Sequence, residues 1–433
     1  MKRYLFSILF ALFAVGGIVA CYIYNEINHM PKYKLETIQG NPGEGAEIEL
    51  SGSYYLSVFS AALDVTADGS SYSNERINFR KNILNTRAWF LQRPEIKQLV
   101  SEHRQFMRGK NNSGGFYNDE HWLIYVDGEH ANRDRNVSTT DITLRIEFLQ
   151  KESNETKQHE LTVIADGYGF SISDVQLIDE RIHVLMTIYK TDTTDISTTY
   201  LQDYIIDLSS GALISDNEMF ISELHGANRE DNAGGAGTVT AEATAAAAAN
   251  AGERQFRLYV MSDSSIMAPS DYAIVVEKED EIISRQGNHS YSSRPIATRY
   301  YSYSYRTGEF SVLPIMDQNN SAYSLHSNVF SHVASDTERI SLSSYDLNTG
   351  EFRENFATIA ASDMGGTHIS NNVGHSENNR LYVLLFKDQI PLAAVINVQD
   401  GVILYTGEVI YDGPAAEAQQ RMDRLHLLNI RVN

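Results

Sequence analysis

The chain has 433 residues with 35 basic and 56 acidic side chains, a net charge of −21 and a single cysteine. That acidity disfavours nucleic acid and anionic membrane surfaces as partners, because both repel it. One cysteine leaves no disulfide framework and no thiolate metal site, so an exported domain of this length must rest on the size of its core.

At the N-terminus, Lys2 and Arg3 precede an uncharged run from Tyr4 to Ala20, the charged and apolar regions of an export signal. Carried on to Tyr24, the run reaches roughly 21 residues, enough for a helix to span a bilayer. Ile18-Val19-Ala20-Cys21 resembles the lipobox of bacterial lipoproteins, which implies lipidation of the Cys21 thiol and a mature chain beginning there. Tyr22 and Tyr24 suit the membrane interface and favour an uncleaved anchor instead. A third reading leaves Cys21 as an apolar side chain packed in a transmembrane helix. Residues 1–24 are thus a signal peptide or a transmembrane anchor. All three readings place the following residues outside the cytoplasm, at the extracytoplasmic face of the cell membrane.

Residues 25–45 mix Pro31, Pro42, Gly40, Gly43 and Gly45 with charges and read as a short stalk. Ile48, Leu50, Tyr54, Leu56 and Val58 alternate, which predicts a half-buried strand at the start of a domain spanning 46–433. A helical insertion is expected at about 76–108. Within it, Pro94 and Glu95 fit a first turn, Ile96, Leu99, Val100, His103 and Met107 follow at helical spacing, and Gly109 can end the helix. Phe79, Ile83, Leu84 and Phe90 suggest a second helix upstream.

From about residue 120 the period changes to two, and one pattern recurs around a glycine. The copies are Ile205 to Gly211, Ser302 to Gly308, Ser344 to Gly350 and Val395 to Gly401. Three and five positions before each glycine the residues are apolar or aromatic, so they share one strand face. Four positions before stands Asp207, Ser304, Asp346 or Asn397, a short polar side chain able to hold a turn backbone. The glycine accepts the left-handed conformation of a tight, bulged hairpin. Ile182, Val184, Met186 and Ile188 alternate upstream of the first copy, and Leu381 to Phe386 precede the last. With the widest gap read as two units, the period is about 40–50 residues and four strands, the size of a propeller blade.

The wording Tyr345-Asp346-Leu347-Asn348-Thr349-Gly350-Glu351 resembles the outer hairpin of bacterial β-propeller repeats, and the likeness extends over about residues 120–430. It implies a mainly β fold: a propeller of about six to eight four-stranded blades. Tyr125 to Glu129 is a candidate fifth copy, and a pair of β-sandwiches is the rival architecture. Leu425, Leu427 and Ile430, with the strand at 48–58, are candidates for the blade that closes the ring. Residues 227–252, with Gly234-Gly235-Ala236-Gly237 and Ala245 to Ala249, carry almost no large apolar side chain and read as a flexible, exposed insertion.

Motifs for chemistry are few. The chain has no Gly-x-Ser-x-Gly, His-Glu-x-x-His, phosphate loop or EF-hand loop, and its thirteen histidines are scattered. His326 with His332 and His368 with His375 lack the spacing of a metal pair. Only Trp89 and Trp122 are present, against the repeated tryptophans of quinone-dependent propellers, and the Ser-x-Asp-x-Gly-x-x-Trp boxes of sialidase-like propellers are missing. No cofactor and no metal are expected, and no catalytic residue stands out. Tyr301, Tyr303 and Tyr305 alternate on one strand, so buried packing is expected for them rather than an exposed stacking surface.

The expectation is a cell-surface binding or interaction module, tethered through its N-terminus, with a protein or glycan ligand. Two others stand beside it. A glycoside hydrolase would need paired carboxylates in the central channel, and an accessory protein of a membrane sensor or transporter would need mainly the anchor.

Overall fold

In a computed structural model, the described residues are 15–17, 30–56, 60–73, 94–130, 140–191, 197–219, 254–261, 269–286, 290–315, 321–376 and 379–432. They form 25 strands in six antiparallel sheets, five of four strands and one of five. In chain order, blade I is β25 (Leu425–Val432), β2 (Ile48–Tyr55), β3 (Ser60–Thr66) and β4 (Gly69–Ser73). Blade II is β5 (Phe116–Asn118), β6 (Trp122–His130), β7 (Thr140–Gln150) and β8 (Glu155–Ala165). Blade III is β9 (Gly169–Ile178), β10 (Arg181–Thr191), β11 (Ser197–Asp207) and β12 (Leu213–Met219).

Blade IV is β13 (Arg254–Met261), β14 (Tyr272–Gln286), β15 (Ser290–Ser304) and β16 (Phe310–Leu313). Blade V is β17 (Ser321–His326), β18 (Val329–Ser335), β19 (Arg339–Asp346) and β20 (Phe352–Ala360). Blade VI is β21 (His368–Ser376), β22 (Arg380–Lys387), β23 (Ile390–Asn397), β24 (Ile403–Tyr411) and β1 (Tyr33–Gly40).

The first strands of neighbouring sheets lie beside one another, β5 by β9, β9 by β13, β17 by β21 and β21 by β25. Separate apolar clusters join II to III, III to IV, IV to V, V to VI and VI to I. Sheets that pack face to face in succession, with their first strands innermost, are a β-propeller, because no one sheet can cover both of its own faces. The sandwich alternative is thereby replaced.

Each glycine of the repeat sits where the pattern puts it, with φ between 69° and 76° at Gly211, Gly308, Gly350 and Gly401. The amide of each donates to the carbonyl four residues back at 2.8–2.9 Å. The short polar residue at that place holds the turn: Asp346 Oδ1 accepts from the amides of Asn348 (2.9 Å) and Thr349 (3.0 Å). Tyr125 to Glu129, by contrast, lies inside β6 and is no hairpin. The outer hairpin of blade II turns at Asn154, whose φ of 56° does the work of a glycine.

The ring is closed twice. The C-terminal strand β25 pairs antiparallel with β2, as Leu425, Leu427 and Ile430 led one to expect, and all three are buried. The second closure corrects the reading of 25–45 as a stalk. Tyr33–Gly40 is β1, which pairs with β24 as a fifth strand. Tyr33 and Leu35 are buried in the core between blades VI and I, an alternation too short to outweigh the surrounding glycines and prolines in sequence. Pro42–Gly45 is one helical turn fixed to blade VI by a bidentate pair, Arg380 Nε to Glu44 Oε2 at 2.8 Å and Nη2 to Oε1 at 3.0 Å.

The expected helix at 94 is present as Pro94–Glu102. Its Ile96 and Leu99, with Phe106 and Met107, pack on Phe116, Leu123 and Tyr125 of blade II. The suggested helix around 79–90, the insertion 227–252 and Cys21 lie outside the described residues. Among those that are described, no helix is long and apolar enough to cross a membrane.

Candidate functional site

Strand β10 carries the feature that separates one blade interface from the rest. Its even-numbered residues Ile182, Val184, Met186 and Ile188 are fully buried against blade II in an apolar cluster. Its odd-numbered residues face blade IV and read His183, Leu185, Thr187 and Tyr189. Alternation puts them there. Leu185, with Leu201 of β11 and Leu258 of β13, forms an apolar waist, and polar groups fill the seam on both sides of it.

Below the waist Asp203 is fully buried. Its Oδ2 receives the hydroxyl of Tyr303 across the seam at 2.8 Å and meets His183 Nδ1 at 2.9 Å. Tyr305 donates to Asp174 Oδ2 at 2.6 Å, and Gln176 Nε2 donates to both oxygens of that carboxylate at 3.2 Å. Burial, then the neighbouring Asp203, pushes the Tyr303 phenol well above its ordinary range. The Tyr305 phenol goes the same way, through burial and then Asp174. Both therefore remain donors to buried carboxylates at physiological pH. His183 faces a small cavity of about 120 Å³, bordered by Arg181, Asn217 and Arg306. Arg306 is bound on both sides, to Asp271 at 3.0 Å and Asp179 at 3.0 Å.

Above the waist the seam opens into a cleft of about 380 Å³, within the size range of small-molecule sites. Hydroxyls from three strands of blade III line it: Ser171 and Ser173 on β9, Thr187 and Tyr189 on β10, Thr199 on β11. Strand β13 supplies the opposite wall with Gln255, Arg257 and Tyr259. Thr199 stitches the walls together, its Oγ1 accepting from the Leu258 amide at 2.6 Å. Ser173 Oγ lies 2.7 Å from Thr187 Oγ1, and Ser171 Oγ lies 3.1 Å from the Tyr189 hydroxyl. Arg257 is paired with the buried Asp280 of β14. In the same sheet Arg299 of β15 binds Glu279 at 2.8 Å and Glu277 at 3.5 Å, and Tyr301 donates to Glu277 at 2.7 Å. The three carboxylates are almost wholly buried, and guanidinium pairing is what makes that tolerable.

The cleft opens on the face where the innermost strands begin, here called the top. Strand β12 ends and β13 begins at that face. The β14–β15 hairpin, fifteen residues to each strand, runs on past Arg254 at the same end. The chain enters β1 there too, because Tyr33 pairs with Tyr411 at the end of β24.

The three tyrosines of β15 lie where the alternation predicts, 0–3% exposed, so they are packing residues with polar tips rather than an open platform. His332 is buried and stacks on Tyr323 at 5.1 Å, and His368 stacks on Phe386 at 5.1 Å. Neither belongs to a shared metal geometry: among the described residues no three His, Cys, Asp or Glu side chains are placed to hold an ion. The six innermost strands contain one carboxylate, Asp174, and both its oxygens are engaged. Sequence reasoning missed His183, Thr187 and Tyr189 because nothing marks which face of an alternating strand lines a cleft.

No family model and no curated protein matches the chain. Among solved structures, a luciferin-regenerating enzyme is similar at 13% identity and a TM-score of 0.26, over 68% of this chain and 77% of that one. An uncharacterized protein from Listeria monocytogenes is similar at 10% identity and 0.24, over 68% and 83%. A putative dipeptidyl aminopeptidase IV from Bacteroides ovatus is similar at 8% and 0.32, over 69% and 40%.

Proposed function

We propose that the chain is an extracytoplasmic binding module of the bacterial envelope, tethered through residues 1–24 and receiving its ligand in the top-face cleft between blades III and IV. The observation that carries this reading is the polar lining of that one interface: hydroxyls, Gln255 and Arg257 stand where blade III's other face buries isoleucine, valine and methionine. A blade interface gains stability from apolar contact, and a polar cleft forgoes that gain. The charge pattern at Lys2 and Arg3 and the uncharged run after them support the tether. Lipidation of Cys21 is its lipoprotein form, and a transmembrane helix is the other.

The binding reading is favoured over a channel glycosidase by the innermost strands, where Asp174 has no second carboxylate to work with. The two acids that mechanism needs stand about 5–9.5 Å apart across a sugar. The test is photocrosslinking in intact cells, with benzoylphenylalanine replacing Tyr259 at the cleft or Val402 on the opposite face. Adducts at Tyr259 but not at Val402 support the reading, and equal yields at the two positions refute it. Protease added to intact cells then reports whether the propeller is outside.

A further inference from the structure

The cleft's own chemistry narrows what it takes, given that the binding reading holds. We propose that its ligand is a neutral glycan, with one sugar ring packed on Tyr259 and its hydroxyls read by the serine and threonine pairs of blade III.

Charge is the first argument. Of the cleft's lining side chains only Arg257 is ionised, and Asp280 already neutralises it, while the ammonium of Lys278 stands 5.8 Å from the centre of the Tyr259 ring. A basic peptide entering here would meet cations and no free carboxylate, and a phosphate or uronic acid would shed water for an Arg257 already paired with Asp280, which is unfavourable in a partly enclosed site. A ligand without charge avoids that cost.

Hydrogen-bonding capacity is the second. A hydroxyl offers one donor and two acceptor lone pairs. In the pairs Ser173–Thr187 and Ser171–Tyr189, one hydroxyl donates to the other, so each pair keeps one donor and several acceptor sites for the ligand. Sugar hydroxyls have this same dual character. An extended peptide would instead need an open strand edge. The edge of β13 is occupied at the cleft, because the Leu258 amide already donates to Thr199.

Aromatic surface is the third. Tyr259 is 42% exposed on the innermost strand and Tyr168 is 49% exposed, its ring 6.5 Å from that of Tyr189. The C–H face of a pyranose is apolar and flat enough to cover a tyrosine ring while its rim hydroxyls reach polar neighbours. A volume of about 380 Å³ admits a short saccharide and no folded domain.

The experiment is isothermal titration of the full chain in detergent with four probes: cellohexaose, xylohexaose, chitohexaose and hexagalacturonate. The expected result is binding of at least one neutral hexaose, weakened at least tenfold by Tyr259→Ala and abolished by Ser173→Phe, which fills the cleft. Both variants should keep the wild-type urea midpoint, so that lost binding is not lost folding. Binding of hexagalacturonate alone overturns the neutral assignment. Binding that survives both substitutions puts the sugar elsewhere and overturns it too. If no hexaose binds while the Tyr259 photocrosslink still forms, the glycan proposal falls and the binding reading stands. If neither occurs, both fall.

Discussion

Replacing Tyr303 by Phe tests whether the lower half of the seam is built as described. The ring is fully buried, so Phe keeps the packing and removes only the hydroxyl, which donates to Asp203 at 2.8 Å and also bonds the Asn217 side chain. A hydrogen bond to a charged group contributes about 1.5–3 kcal/mol, and the carboxylate that loses it remains buried with His183 as its other partner. The expected loss is therefore about 2 kcal/mol. In an Asp203→Asn background the same hydroxyl meets a neutral acceptor, where the bond contributes about 1 kcal/mol. The double-mutant cycle should then give a coupling of about 1 kcal/mol, above the scatter of independent sites. Equilibrium urea unfolding, followed by circular dichroism and by tyrosine and tryptophan fluorescence, measures all four proteins. A Tyr303→Phe protein as stable as wild type, or two changes that simply add, would refute the buried charge-assisted bond.

Two further expectations concern the closure and the turns. A Cβ at Gly52 would stand 2.0 Å from the His426 carbonyl oxygen and 2.7 Å from Leu427 Cα, where β2 and β25 change register. Gly52→Ala should therefore cost about 3 kcal/mol, read as a lower urea midpoint, and an unchanged midpoint would mean that β25 does not seal the ring. In the Gly211 turn, hydrogen bonds from the Ser209 and Ser210 hydroxyls, then from the Ser210 amide, hold Asp207 down to about 2. A carboxylate with a depressed folded pKa stabilises above its unfolded value, about 3.9, and that contribution is lost as pH falls through the folded value. Asp207→Asn should thus be less stable than wild type at pH 7, the difference shrinking between about pH 4 and 2. A gap independent of pH would show that the charge plays no part.

Legibility in the sequence followed the strength of the local constraint. The four glycine hairpins are written in five or six residues each, because a left-handed turn, its polar cap and two inward side chains are all local requirements. The hairpin at Asn154 escaped because Asn tolerates the same backbone without announcing it. Strand β1 escaped for a different reason. Only Tyr33 and Leu35 mark its buried face, and what makes it a strand is the open edge of β24, some 370 residues away in sequence. The cleft depended on three strands and a neighbouring blade at once. Thr187 and Tyr189 are ordinary polar members of an alternating strand until β13 is placed opposite them.

Blade III meets apolar side chains on one side and polar ones on the other, and both sides are buried. The apolar side needs no further explanation. On the polar side, Asp174, Asp203 and Glu277 were all taken out of water and had to be supplied with phenol, amide, imidazole or guanidinium partners from the same strand, an adjoining strand or the next blade. Buried ionic networks of this kind are at best neutral for stability against an apolar replacement of the same shape, so packing alone does not account for them. They do hold the two walls at a fixed separation: Tyr303 and Tyr305 pin the lower end of the seam, and Thr199 bridges the upper. A cleft whose walls are pinned below and stitched at one point above is pre-formed, and a pre-formed site spares its ligand the cost of ordering it. On the proposed binding reading, the polar seam and the hydroxyl-lined cleft are one construction, in which the carboxylates give rigidity and the hydroxyls give recognition.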